Sequence, residues 1–484
     1  MSISSALSNA VSGLNASARA AGVVSSNLAN ALTPGYGLRA LEQVSQSSGN
    51  RGGVSVVGIT RNVDQAILGD RRLSDAQVAN GETRAEFVAQ LERIVGHPDE
   101  GSSLSARIAA FDASLVAAAS KPEATEWLQA AVLRAGELAD TLNAISAEIQ
   151  TRRTNADSDI ELTVNAVNTT LSQIQSLNAQ ITTAAKGGNS IAALQDQRQL
   201  AIDQLAQYVP VRQVPRDNGA VALFTPGGAI LLDGSAATLD FAATNIVAPH
   251  MTLGAGLVSG LTINGISVPP SGPNSPIAGG RLSALFEIRD ELGVDANTQV
   301  DALARDLIER FQATGLDATR APGDPGLFTD GGALFDPVNE VGIAGRIAVN
   351  SAVDPENGGD LWKLRDGLGA ATPGPAGNGA LLQDWQQALA QSGSLASGNL
   401  GVTSRSLAGH SASFTSRIGQ DRLTLEQDIS FAAARQSELV SLELQNGVDT
   451  DAEMQRLLLV EQSYAANARM IQTIDEMMQA LLRI

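Results

Sequence analysis

Three histidines, His97, His250 and His410, are the chain's only imidazoles, and none lies in a His-Glu-x-x-His pattern that would set two ligands on one helical face. They read as scattered surface residues. The lysines are Lys121, Lys186 and Lys363, and none closes a glycine loop in the manner that cradles a nucleotide phosphate. Nucleotide hydrolysis has no anchor here. Gly254-Ala-Gly256-Leu-Val-Ser-Gly260 is one residue too long for a dinucleotide fingerprint and opens no convincing helix, so it reads as a turn. Two acidic groups have the composition of cation sites. In Asp354-Pro-Glu356-Asn-Gly-Gly-Asp360, Gly358 stands where a fifth ligand belongs, and Arg365 where a closing glutamate should be. Asp449, Asp451 and Glu453 stand at a helix start, where carboxylates serve capping and the macrodipole. Asp290, Glu291 and Asp295 read as a solvated helical face. With no cysteine in the chain, disulfides and thiolate sites are excluded. No catalytic residue, metal site or cofactor is predicted.

The elements that would position any site point instead to assembly. Thr450 to Ile484 reads as one unbroken helix with an a/d seam of Leu457, Val460, Tyr464, Asn467, Ile471, Ile474, Met478 and Leu481, with Asn467 as its polar member. Thr450 and Glu453 have capping-box spacing. The first thirty-odd residues repeat the period through Ile3, Leu7, Ala10, Leu14, Ser17, Ala21, Val24, Leu28 and Ala31. The two ends are therefore expected to pair as a coiled coil, an ordinary terminal hairpin being the alternative. Their seam is thin: at ~0.8 kcal/mol per buried CH2, its alanines offset little of the roughly 1–2 kcal/mol per residue of ordering entropy. Both ends are expected to be loose in a lone chain and to order among other copies. Asn467 reads as a register device. Asn27, Asn30, Thr33, Pro34, Gly35 and Tyr36 end the first helix, with asparagines able to bond free carbonyls, proline stopping the helix and glycine permitting the turn.

Composition sets outer limits. At 484 residues the chain predicts two or three domains, and 43% hydrophobic against 3% aromatic residues suits long helices packed through Ala, Leu, Val and Ile. Net charge of −19 argues against a nucleic-acid partner. Met-Ser-Ile-Ser-Ser has no basic region and no apolar run, so no Sec leader is expected, and no stretch predicts membrane insertion.

The stretch SSNLANALTPGY, Ser25 to Tyr36, resembles the N-terminal signature of the bacterial flagellar rod, hook and hook-associated proteins, and Gly447 to Leu482 is similar to their C-terminal signature. IAGGRLSALFEIRDEL, Ile277 to Leu292, with Gly279, Gly280, Arg281, Leu282, Arg289 and Asp290, resembles the central signature of the hook-associated protein 1 family. Leu194 to Val209 fits the same family, whereas Leu38-Arg39 departs from it. The resemblance implies a structural subunit and not an enzyme, exported through the flagellum's type III channel to an extracellular position between hook and filament. It implies as partners other copies of itself, hook protein, the second hook-filament junction protein and a flagellar export chaperone covering the C-terminal seam. Alternatives are another axial protein (hook or distal rod), a surface adhesin using a β insertion, or an effector with borrowed ends.

The expected fold is mainly α with an inserted β domain: a long helical bundle whose N- and C-terminal helices pair as a coiled coil. The segments are a coiled-coil segment 1–45, a helical part 46–209 with a β arm at 52–60, a β domain 210–280, a returning helical part 281–445 and a second coiled-coil segment 446–484. Ser120-Lys121-Pro122-Glu123 predicts a capped helix start, followed by a rod that Thr151 to Asp159 would interrupt. Within the β domain, Leu261 to Val268 reads as one strand and Ala236 to Gly260 as a loop.

Overall fold

The computed structural model describes residues 3–46, 52–401 and 403–482; Met1 and Ser2 of the N-terminal stretch read above, and Arg483 and Ile484 of the C-terminal helix, lie outside the described residues. The chain begins with helix α1 (Ile3–Ala29), a hairpin arm of β1 (Leu38–Ser45) and β2 (Val54–Asn62), and helices α2 (Gln65–Val95), α3 (Leu104–Ser120), α4 (Thr125–Lys186) and α5 (Ala192–Tyr208). Short strands follow: β3 (Arg212–Pro215), β4 (Val221–Phe224), β5 (Ile230–Asp233), β6 (Ser235–Ala236), β7 (Leu239–Asp240), β8 (Leu261–Ile263) and β9 (Ile266–Val268). Then come α6 (Arg281–Glu287), a π turn at Ile288–Leu292 and α7 (Gly293–Gln312). A loop-rich stretch carries β10 (Phe328–Asp330), β11 (Ile347–Val349), α8 (Trp362–Asp366) and α9 (Ala380–Ala390). Helices α10 (Leu407–Gln445) and α11 (Thr450–Leu482) return the chain to its start.

Helix α4 is the frame. Its 62 residues span about 93 Å at 1.5 Å per residue. Leu128, Leu142, Ile149, Ile160, Val167, Leu171, Ile174 and Ile181 are all buried along it, the continuous stripe that a helix needs when neighbours cover it along its whole length. The expected interruption at 151–159 does not occur, because Arg153, Thr154 and Asp157 turn inward and bond to the insertion loops. The helix start also differs from expectation. Ser120 is the last residue of α3 and its Oγ donates to Ala117 O (2.7 Å), while α4 opens at Thr125 without a side-chain cap. The segment between them is bent away, with Pro122 O taken by Arg365 Nη1 at 3.1 Å.

At one end of α4 the core is aromatic. Phe111, Phe311 and Phe328 meet at centroid distances of 5.2–5.8 Å, and Trp385 stacks on Phe311 at 5.4 Å. Trp385 is fully buried and its indole N–H donates to Leu364 O, which removes the usual cost of burying that polar tip.

The β residues form a four-stranded sheet, β3-β4-β5-β6, and a three-stranded sheet, β7-β8-β9, both antiparallel. They share one core with the helices, since Leu223, Leu232, Leu239 and Leu261 belong to the same buried cluster as α4. Two asparagines on α4 fasten them: Asn168 exchanges hydrogen bonds with Leu239 N and O, and Asn178 with Val221 N and O. The single strand expected at 261–268 is a hairpin closed by Asn264-Gly265, both at positive φ; an Asn-Gly pair between apolar runs is its signal. The β arm also has a first strand, β1, that the charged and alanine-containing stretch Leu38 to Ser45 did not reveal. His410 is another correction, for it is buried with Nε2 2.8 Å from Gly393 O.

Two antiparallel helix pairs lead back out of the body. Helix α10 lies along α2, with Ser74 Oγ donating to Ala432 O, Gln436 to Asp75, and Arg422 pairing with Glu92. Beyond them α11 lies along α1.

Candidate assembly site

The pairing of the chain ends is fixed at two points. Asn27 Nδ2 donates to Glu453 Oε2 at 3.0 Å, and the Asn467 amide lies over Gly13, where a Cβ would sit 2.8 Å from Nδ2. From Gly13 to Asn27 and from Glu453 to Asn467 is fourteen residues on each helix, or two heptads, so both points lie on one antiparallel seam. Ala10, Ser17, Val24 and Ile474 are buried on it. Ile3, Leu7, Leu14, Ala21, Ala31, Leu457, Val460, Asn467 and Ile471 are half-buried, while Leu28, Tyr464, Met478 and Leu481 face solvent. The ends expected to be loose are thus helical and paired in the single chain, though few large side chains are buried between them.

Asn27 does more than the expected carbonyl capping. It is fully buried, and its second donor bond goes to Arg39 O (2.9 Å), while its Oδ1 accepts from Tyr36 Oη (2.8 Å) and Arg39 N (3.1 Å). All four of its hydrogen-bonding positions are filled. One side chain thereby joins the end of α1, the turn, the arm and the first turn of α11. Asn30 does bond a carbonyl, Ser26 O at 2.9 Å, and Thr33 Oγ1 donates to Asn30 Oδ1. Pro34 is exposed, and Gly35 turns the chain at φ 76°, where an added Cβ would also lie 2.7 Å from Leu200. The capping box read at Thr450 and Glu453 is replaced by Asp449, whose Oδ1 accepts from Asp451 N and Ala452 N. Glu453 is released to meet Asn27 and Arg456.

Helix α5 holds this terminal unit to the body. Asp196, Gln199 and Asp203 are spaced by three and four residues and so share one face. Asp196 accepts from Arg39 Nη2 (2.8 Å), Arg61 Nε (2.6 Å) and Gly37 N (3.1 Å). Arg39 also lies 4.7 Å from the Tyr36 ring centroid, so the residue that departs from the family pattern is part of the contact. Gln199 bonds Arg61 and Glu443. Asp203 pairs with Arg71 (2.7 Å) and Arg72 (2.6 Å), and Arg71 reaches on to Asp75 and Glu443. Burial holds the Glu443 carboxyl above its ordinary value, against the opposing pull of Arg71. The stretch Leu194 to Val209 was legible only by likeness; the 196/199/203 spacing was the physical signal available for it.

The central motif forms a second, buried junction. Gly279 turns at φ 100°, Gly280 stands at the N-cap of α6 where an added Cβ would collide with Tyr208 O, Arg281 is exposed and Leu282 is fully buried. Arg289 is wholly buried and draws the Asp290 side chain in to 8% exposure, so the solvated face read at Asp290, Glu291 and Asp295 fails at Asp290, while Glu291 is exposed and the Asp295 side chain 40% exposed. Its Nη1 donates to buried Asp157 (2.6 Å), its Nε and Nη2 fork onto Asp290 (2.9 and 2.8 Å), and Nη2 also reaches Ser259 O. The rings of Phe241 and Phe286 lie 5.4 and 5.1 Å from its guanidinium carbon. Beside it Arg153 donates to Arg289 O, Ala248 O and Met251 O, and burial lowers its pKa to about 10, where it stays charged. These bonds tie the middle of α4 to the π turn and to the loop between β7 and β8. The arrangement positions polypeptide; among the described residues no group of acidic, His or Cys side chains is placed to hold a metal. Among them, too, no helix is long and apolar enough to cross a membrane.

Residues 88–328 match the flagellar hook-associated protein FlgK helical domain, residues 7–36 the flagella basal body rod protein family, and residues 445–484 the flagellar basal body rod FlgEFG protein C-terminal family. The chain is 29% identical to flagellar hook-associated protein 1 of Salmonella typhimurium over 54% of this chain and 51% of that one, so this match spans about half the relative's length. It is 27% identical to the Escherichia coli protein of the same name over 100% of both. The solved flagellar hook junction protein FlgK of Burkholderia pseudomallei is 26% identical, with a TM-score of 0.45 over 55% of this chain and 47% of that one.

Proposed function

Because this chain belongs to the flagellar hook-associated protein 1 family, we propose that it is a structural subunit joining hook to filament and assembling through its paired terminal helices. The observation that carries this reading is the outward face of α11. Leu459 is 64% exposed, Met470 56% and Leu481 60%, beside exposed Leu458, Met477 and Leu482. A row of large apolar side chains on one helix of a chain with net charge −19 is what a neighbouring subunit would cover. Its partners are other copies, hook protein on one side and the second junction protein on the other, with an export chaperone shielding the same face before type III secretion to the extracellular flagellum. The β insertion, carried on the side of α4, would face outward. No catalytic role is assigned. The test is a strain lacking this protein: it should build hooks and release filament subunits into the medium. Filaments that stay attached in that strain would refute the proposal.

A further inference from the structure

Between the end of β2, the first turns of α2, the polar face of α5 and the β3–β4 hairpin lies a cavity of about 190 Å³. Four arginines line it: Arg61, Arg72, Arg198 and Arg216. Three have carboxylate partners, Arg61 with Asp196 (2.6 Å), Arg72 with Asp203 (2.6 Å) and Arg216 with Asp233 (2.9 Å). Arg198 does not. It is only 6% exposed, and its Nη1 donates to two neutral oxygens, Asn178 Oδ1 (2.8 Å) and Gly219 O (2.7 Å). Arg72 is 1% exposed, with Nε on Asp203 and Nη1 on Gln213, yet its buried Nη2 has no hydrogen-bond partner among the described residues. A buried charged donor left unpaired is costly and calls for an acceptor. The space exceeds the ~30 Å³ share of one water.

We propose that this cavity binds one small tetrahedral oxyanion, inorganic phosphate or sulfate, between Arg72 and Arg198. The ion would accept from the orphaned Nη2 and neutralise the one lining guanidinium that lacks a carboxylate, in the charge-assisted geometry that arginine favours. Consistent with an electropositive site, burial and then the nearby Arg61 and Arg72 push Arg198 down to about 10. The bound ion would link four elements that reach the cavity from separate parts of the chain: the arm, α2, α5 and the β insertion.

The test uses the full chain at pH 7 and constant ionic strength, titrated calorimetrically with inorganic phosphate, sulfate or acetate. The expected result is a single saturable site for phosphate and sulfate, with Kd on the order of 1 mM or tighter, and a higher Tm in phosphate than in chloride. Arg198→Gln should weaken binding at least tenfold. Arg216→Ala, altering a half-exposed surface side chain, should weaken it several-fold in a chain that folds normally. Absence of saturable binding, an equal response to acetate, or unchanged affinity in both variants would overturn the proposal.

Discussion

Replacing Arg289 by methionine should loosen the middle of the molecule. The guanidinium is fully buried against Asp157, itself 0% exposed, and makes four hydrogen bonds, one there, two in its fork onto Asp290 and one to Ser259 O. Methionine fills much of the volume and keeps contact with Phe241 and Phe286, so the loss is chiefly electrostatic: two carboxylates stay behind without their counter-charge. Breaking a buried pair in this way costs roughly 3–5 kcal/mol, equivalent to about a hundred-fold to several-thousand-fold in a local opening equilibrium. The loss should appear where Asp157 also acts, at the amide of Thr244, which donates to its Oδ2 at 2.5 Å, and at Val247, held by Thr154 Oγ1. Native-state hydrogen exchange on the Arg289→Met chain should therefore show faster exchange at both amides, with Leu128 to Leu142 of α4 little changed. Adding Asp157→Asn should recover part of the loss, because the stranded charge goes with it. Less than a threefold change at Thr244, or an equal loss along the whole of α4, would refute the idea that this pair pins the insertion to the long helix.

Other sites give separate tests. Asn27→Ala strands Arg39 N–H and O, Tyr36 Oη and Glu453, and should cost roughly 2–4 kcal/mol locally; exchange at the Arg39 amide should rise about thirty-fold or more, and an unchanged rate would contradict the four-bond account. Asn467→Leu, opposite Gly13, should steady the terminal pair by about 1 kcal/mol while impairing assembly; normal attachment of filaments would make Asn467 an incidental polar residue. Burial raises Asp301 to about 6 from an ordinary 3.8, although Gly342 N and Ala344 N bond to it. The folded chain then holds a proton that the unfolded chain releases, so this contribution to stability is complete below about pH 4 and is lost as pH rises through 6, roughly 3 kcal/mol in all. Urea midpoints from pH 4 to 7 should show that slope in the parent and not in Asp301→Asn; parallel curves would exclude it.

Legibility followed the kind of interaction. Periodicity exposed α2, α4, α10 and α11 because their apolar stripes repeat over many turns. Polar residues were harder to place. Thr151 to Asp159 reads as a helix breaker by local propensity, yet Arg153 and Asp157 find partners more than ninety residues away in sequence, at Ala248 and Arg289. Nothing in the local sequence marks Arg289 as buried, and only the carboxylates and carbonyl that meet it make it a core residue. Asn27 shows the same limit in the terminal site: the turn after it is plain in the sequence, but its bond to Glu453 crosses almost the whole chain. The strand β1 was missed because its pairing with β2, with a bulge between Glu42 and Gln43, decides what an unremarkable local sequence does not.

The claim that α11 is an assembly face can be read out directly, because the chain has no cysteine of its own. Leu459→Cys and Met470→Cys lie on that face, and Ile266→Cys lies on the β8–β9 hairpin, 69% exposed. Maleimide labelling of purified flagella and of the free chain compares them. The account predicts that all three label in the free chain and that only Ile266→Cys still labels after assembly. Full labelling of Leu459→Cys and Met470→Cys in intact flagella would contradict it.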